Sequence, residues 1–118
     1  MLNLAHKKLD VWISATELVK EIYSITKLFP KEEQFGLISQ LRRASVSVVS
    51  NLSEGLSRYT DAEKKRFLEI ARSSVVEIDA QIELAIKLNF CSKDQIQNID
   101  ELLNRTFAML TNLIKKHL

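Results

Sequence analysis

Val11, Ala15, Leu18, Ile22, Ile25 and Phe29 recur at alternating steps of four and three. That spacing lines them along one stripe of an α-helix, a seam that has to be buried against other helices. Pro30 stops the seam, because proline pushes the residue before it out of helical geometry. A first helix is therefore expected from about His6 to Leu28. A second should begin near Glu32 or Glu33, since acidic residues suit the positive end of a helix dipole. Thr60-Asp61-Ala62-Glu63 is a capping box and opens a third helix, which carries Phe67, Ala71, Val75, Ile78, Ile82 and Ala85 on one face and ends near Leu88. Ser92-Lys93-Asp94-Gln95 repeats the device before a fourth, with Ile96, Ile99, Leu103, Leu110 and Leu113 inward. One proline and two glycines in 118 residues leave little to interrupt these helices, and a hydrophobic content of 46% suits one core. Every connection is short, so neighbouring helices should run antiparallel. The expected architecture is all-α: a single domain over residues 1–118, an antiparallel up-down-up-down four-helix bundle.

The second helix has an unusual composition. "LRRASVSVVSNLSEG", residues 41–55, packs serines, valines and a glycine into its middle, all middling or poor helix formers. At about 100° per residue, Leu37, Ile38, Leu41, Ala44, Ser45, Val48, Leu52 and Gly55 fall in one sector and should face the core. Phe35, Ser39, Val46, Ser50 and Ser53 fall nearly opposite, where a solvated helix would carry lysine and glutamate. Small residues let a neighbouring helix come close, so this second face is expected to meet a partner subunit. Gln40, Arg43, Ser47, Asn51 and Glu54 form a polar stripe between the two sectors, with Ser47 and Asn51 expected to be substantially buried and hydrogen-bonded.

Few residues suggest chemistry. The single cysteine, Cys91, excludes an intramolecular disulfide and suits a reducing cytoplasm; without a neighbouring base it reads as an inert, partly buried thiol. His6 and His117 lack the companions of a metal site. Glu77, Asp79 and Glu83 lack the Glu-x-x-His pattern that bundle metal centres use. Gly36 and Gly55 cannot build a phosphate-binding loop. Trp12 falls near the apolar stripe of the first helix and reads as core or interface. His6, Lys7, Lys8 and Asp10 interrupt any N-terminal run of secretory length, and no apolar stretch is long enough to span a membrane. No cofactor, metal or catalytic residue is expected, and the chain should be cytoplasmic.

Charge is more informative than its sum. The net charge is only +2. In an up-down-up-down bundle both termini share one end with the turn between helices two and three. That end gathers Lys7, Lys8, Arg58, Lys64, Lys65, Arg66, Arg72, Lys115 and Lys116 against Asp10, Glu54, Asp61, Glu63 and Glu69, so 9 − 5 gives +4. The other end, residues 20–36 and 77–101, holds five lysines against nine acids, so 5 − 9 gives −4. A basic pole of this kind attracts phosphate backbones in a salt-dependent, sequence-tolerant way. Lys64, Lys65 and Arg66, consecutive near a helix start, should contribute most.

The residues also carry a resemblance. "LFPKEEQFGL", "SQLRRASVSVVSNLSEGLSR" and "FLEIARSSVVEIDAQIELAIKLNF", with "LDVWISATELV" before them, resemble in order the four-helix-bundle family encoded in intervening sequences of bacterial 23S ribosomal RNA genes. The likeness extends over roughly residues 9 to 90. It departs at Val49, Ser53 and Asn89, where the family pattern usually has proline, alanine and glycine. That family is similar to the accessory protein of diversity-generating retroelements, a pentameric basic barrel that binds nucleic acid and a reverse transcriptase. The resemblance thus implies a homopentamer, with RNA, DNA, a reverse transcriptase or another protein as partner. Two functional readings stand side by side: an oligomeric nucleic-acid adaptor, and a self-assembling structural or protein-interaction module.

Overall fold

The computed structural model describes residues 1–117. Four α-helices carry the fold: α1 (Asp10–Thr26), α2 (Leu37–Leu56), α3 (Asp61–Lys87) and α4 (Gln97–Lys116). Short 3-10 turns at Ala5–Lys8, Lys31–Glu33 and Asp94–Ile96 precede α1, α2 and α4. Among the described residues there is no strand. The 27 residues of α3, at about 1.5 Å each, span roughly 40 Å, close to the molecule's long dimension of 43 Å.

Cross-helix pairs set the directions. Gln40 bonds Gln81 and Ser47 bonds Ser74, while Gly55 abuts Phe67. Partner numbers fall along α3 as they rise along α2, so the two run antiparallel. In the same way Arg72 reaches Thr111 in α4, while Ile82 and Glu83 share a cleft with Gln97 and Asp100. Ser14 meets Thr106, and Asp10 lies across a cleft from Asn112 and Lys116. Each helix thus has two antiparallel neighbours, and the α2–α3 contact is the most extensive.

The core is the meeting of four stripes. Val11, Ala15, Leu18, Ile22, Ile25 and Phe29 are buried, as their spacing requires. So are Leu37, Leu41, Ala44, Val48 and Leu52 from α2, with Ser45 and Gly55 on the same side. From α3 come Leu68, Ala71, Val75, Ile78, Ile82 and Ala85, and from α4 Ile99, Leu103, Leu110 and Ile114. Three expected core positions are only half-buried: Phe67 and Leu113, whose inner places go to the next residues, Leu68 and Ile114, and Ile38 at the edge of the α2 sector. The stem of Phe67 rests on the bare backbone of Gly55, where a Cβ would meet Phe67 Cβ at 3.0 Å. Its ring then emerges between the guanidiniums of Arg58 and Arg66.

Helix starts differ from expectation for identifiable reasons. The first helix begins at Asp10 rather than His6, because Leu9 is extended (ψ 144°) and Ala5–Lys8 closes on itself as a 3-10 turn. His6 packs edge-on against Trp12, with ring centres 5.6 Å apart. The second helix begins at Leu37 rather than at Glu32 or Glu33. Glu33 instead reaches forward, its Oε1 accepting from the Leu37 backbone N–H at 3.1 Å, and a Cβ on Gly36 would sit 2.8 Å from that oxygen. Thr60 does cap α3, accepting from the Glu63 N–H. The Ser92–Gln95 box closes in both directions, but it opens the 3-10 turn, and regular helix starts at Gln97.

The serines of α2 divide by face. Ser45 is fully buried and donates to the carbonyl of Arg42. Ser47 shares a 3.0 Å hydrogen bond with Ser74 across the α2–α3 contact. Asn51 donates to both the carbonyl and the hydroxyl of Ser47. Asn51 and Ser47 are half-buried, and no polar atom of either is stranded. Small residues at this seam let two long helices approach, and their hydroxyls satisfy one another there.

Candidate nucleic-acid interface

One end of the bundle gathers the start of α1, the α2–α3 turn and the end of α4. His117 Nδ1 lies 2.8 Å from Asp61 Oδ1, which ties the last turn of α4 to the first turn of α3. Lys116 lines a cleft with Leu9 and Asp10, which ties the same turn to the start of α1. Sequence-distant lysines are thereby brought to one pole.

The nine basic residues there do not behave alike. Arg58 is committed internally: its Nη2 pairs with Glu54, its Nη1 lies 3.8 Å from Glu63, and its face covers the Phe67 ring at 4.8 Å. Lys64 reaches back to the carbonyl of Leu56 at 3.3 Å, closing the C-terminus of α2. Arg72 bonds Thr111 and lies over Phe107, joining α3 to α4. Lys7 donates to the carbonyl of Leu2. Among the described residues Lys8, Lys65, Arg66, Lys115 and Lys116 make no ion pair and no side-chain hydrogen bond. Arg66 touches only the Phe67 ring, 5.6 Å from its centre. The acids are also partly spent, since Glu54 and Glu63 face Arg58 and Asp61 faces His117. The positive charge of the pole that has no internal polar partner therefore belongs to those five cations, of which Lys65 is half-buried. Asp10 and Glu69 are the acids left without an ion pair among the described residues.

The second face of α2 is open. Phe35, which falls in the turn before α2 rather than on it, is 90% exposed and Val46 42%, Ser50 is exposed, and Ser39 and Ser53 are half-buried. Phe35, Ser39 and Arg43 line a groove of about 520 Å³ that reaches Glu77 of α3. The outer side of α3 continues the theme with exposed Val76, Ala80 and Leu84.

Residues 7–112 match the family described as 23S rRNA-intervening sequence protein. The chain belongs to that family. A crystal structure of a protein of unknown function from the S23 ribosomal protein family of Bacteroides thetaiotaomicron superposes with a TM-score of 0.81. It is 22% identical and the match covers 89% of this chain and 98% of that one, a likeness that shows the shared fold. No curated protein matches the chain. Asn89, one of the positions at which the resemblance departs, adopts φ 63°. It ends α3 with paired bonds from Asn89 N–H to Ile86 and Phe90 N–H to Ala85, and asparagine is the best non-glycine residue for such a left-handed stop.

Two residues of this intervening-sequence protein escape sequence reasoning. Arg42, beside Arg43 on the wheel, turns toward α1 and donates to the buried Thr26 hydroxyl and the Tyr23 carbonyl, stacking on the Tyr23 ring. Tyr59, in the turn of the basic pole, is 99% exposed. No periodicity marks a turn residue, so only the folded turn reveals it. Elsewhere burial pushes the Cys91 thiol up, and desolvation, with Lys7 adding to it, holds His6 below the usual imidazole range. No helix is long and apolar enough to cross a membrane among the described residues.

Proposed function

We propose that the chain is a non-enzymatic, self-associating helical adaptor whose basic pole holds RNA or DNA. One observation carries this reading: Lys8, Lys65, Arg66, Lys115 and Lys116 share a pole without internal polar partners, while Arg58 and His117 engage three of the five acids there. Free ammonium and guanidinium groups release counterions from a phosphate backbone, and binding through them is sequence-tolerant. Self-association is supported by the small residues Ser39, Val46, Ser50 and Ser53 on the outer face of α2 and by exposed Val76, Ala80 and Leu84 on α3, with Arg43 and Glu77 facing the groove between them. A homopentamer with aligned subunits, as the family resemblance suggests, would carry about +20 around one rim, a field able to steer polyanions.

Fluorescence anisotropy with a generic RNA and a single-stranded DNA tests the nucleic-acid half. Affinity should fall by orders of magnitude between about 50 and 200 mM salt. Lys65→Glu combined with Arg66→Glu, Lys115→Glu and Lys116→Glu should abolish binding and leave the oligomer mass unchanged. Lys64 is better left in place, because its bond to Leu56 also closes α2. Absence of retention at about 50 mM salt would leave the second reading, a self-assembling protein-interaction module, which the exposed Val76 and Leu84 of α3, with Leu88 just past its end, favour. Light scattering tests association: a stable 13.6 kDa monomer at micromolar concentration would remove it. Val46→Glu should dissociate the assembly with helix content intact.

A further inference from the structure

The turn joining α2 to α3 is pinned on both sides of Tyr59. On one side Arg58 is clamped: its guanidinium spans Glu54 at the end of α2 and Glu63 at the start of α3, stacked on Phe67. Its backbone N–H bonds the carbonyl of Gly55, and that of Ser57 bonds Glu54. On the other side Thr60 is the N-cap of α3, accepting from Glu63. Lys64 adds a third tie by reaching back to Leu56. Between these fixed neighbours the phenol ring of Tyr59 stands 99% exposed. No aromatic stacking partner, cation or hydrogen bond engages it among the described residues. A tyrosine so placed contributes nothing to the core, and the residues on both sides of it are tied to the two helices. What it offers is a flat apolar face in a fixed place, within a turn or two of Lys65 and Arg66.

We infer that Tyr59 is a stacking platform for an unpaired nucleobase, so that the basic pole takes single-stranded nucleic acid in preference to duplex. The inference rests on the proposed nucleic-acid function and sharpens its ligand class. Cations alone grip any phosphate backbone, single or double stranded. An exposed aromatic ring adds affinity only where a base can turn out of its stack and lie on it. In a duplex both faces of every internal base are already covered. Any base will do, because each presents a π-face, and the platform is therefore sequence-tolerant.

The experiment compares a mixed-sequence single-stranded 20-mer with its own duplex by fluorescence anisotropy at about 50 mM salt, where electrostatic binding is strong. The variants are Tyr59→Ala, Tyr59→Phe and Tyr59→Trp. With its exposed side chain Tyr59 can be replaced without disturbing the core. Tyr59→Ala should weaken single-strand binding about tenfold, the equivalent of ~1.4 kcal/mol, with duplex binding within about twofold and the salt slope unchanged. Tyr59→Phe should match the parent, since the ring and not the hydroxyl stacks. Tyr59→Trp should bind normally and lose indole fluorescence on the single strand but not on the duplex. An unchanged single-strand affinity in Tyr59→Ala, or an equal loss on both forms, overturns the platform while leaving the basic-pole reading intact. A changed oligomer mass in Tyr59→Ala identifies the ring as a protein contact and overturns it too. If the parent protein retains neither form, the nucleic-acid function itself falls, and the platform with it.

Discussion

Ser14 of α1 and Thr106 of α4 are 3% and 0% exposed, and their hydroxyl oxygens lie 2.7 Å apart. Neither hydroxyl has another partner among the described residues. Ser14→Ala should therefore strand Thr106 Oγ1 in a place water cannot reach. A buried group left unsatisfied costs about 1–3 kcal/mol, and we expect about 1.5. Thr106→Val keeps the shape and strands Ser14 instead, at about the same cost. The double variant removes both hydroxyls together, so nothing is stranded, and its expected cost is only about 0.5 kcal/mol. The coupling within this cycle is then about 2.5 kcal/mol, far above the scatter for independent sites. A chain of this length has an unfolding entropy of roughly 0.25 kcal/mol/K. Each single variant should thus melt about 6 °C lower and the double about 2 °C lower. Thermal unfolding followed by circular dichroism reads this directly, at one fixed protein concentration, because association raises apparent stability. A double variant that melts about 12 °C lower, the sum of the singles, would refute the reasoning. It would mean that each hydroxyl can turn back to its own helix carbonyl when its partner is lost.

Four further outcomes follow from particular contacts. Asn89→Gly should raise stability by about 0.5–1 kcal/mol in urea titration, because the left-handed φ of 63° carries no penalty for glycine. Gly55→Val should cost about 2 kcal/mol, since even a Cβ there would lie 3.0 Å from Phe67 Cβ and 3.3 Å from the Lys64 carbonyl. His6 should titrate by NMR with a midpoint below 6.5, as burial disfavours its charged form; the unfolded chain then binds more protons, so stability falls as pH drops through that value, and His6→Asn should flatten the dependence. Cys91 is buried with its thiol pushed up, so a disulfide reagent at neutral pH should label it only as fast as the protein opens.

The helices were readable because their burial is periodic. The α1 seam and most of the α2 core sector need nothing beyond a 3.6-residue period, and the structure buries them as the spacing requires, with Ile38 alone left half-buried in that sector. Helix starts were less readable. At Gly36 the deciding contact is a glutamate reaching four residues forward, and at Leu9 it is a 3-10 turn that closes before the chain extends, with His6 packed on Trp12. Such contacts depend on where the chain comes from, which no local pattern records. Phe67 failed for a related reason: by period it belongs to the core stripe, but the crossing at Gly55 holds its stem so close that Leu68 takes the inner place. At the basic pole, residue type locates the cations but not their commitments. Arg58 and Arg66 look equivalent in sequence, yet one is locked between two carboxylates and the other has no ion pair. Tyr59 shows the limit most plainly, because its distinction is a near-complete lack of contacts.

The two halves of the bundle face outward differently, and that difference bears on how one chain could both associate and bind a polyanion. The outer side of α1 exposes Glu17, Lys20 and Ser24 beside Ile13 and Tyr23, and that of α4 exposes Gln97, Glu101, Arg105, Asn112 and Lys115 beside Phe107 and Ala108. Charged and polar residues predominate on both. The outer side of α2 offers Val46 and Ser50 with the half-buried Ser39 and Ser53, and that of α3 offers Ser73, Val76, Ala80 and Leu84, with Arg43 and Glu77 as the charges nearest them. Repeated small and apolar positions on two adjacent helices make a surface another helix pair can approach closely, at little cost in side-chain entropy. Val46 and Ser50 lie in the middle of α2, whereas Lys65, Arg66, Lys115 and Lys116 lie at helix ends. An assembly built on the α2–α3 layer would bury the former and leave the latter open at its rim, together with Tyr59 in its turn. Association and polyanion binding would then reinforce each other, because each added subunit contributes another set of cations without covering those already present.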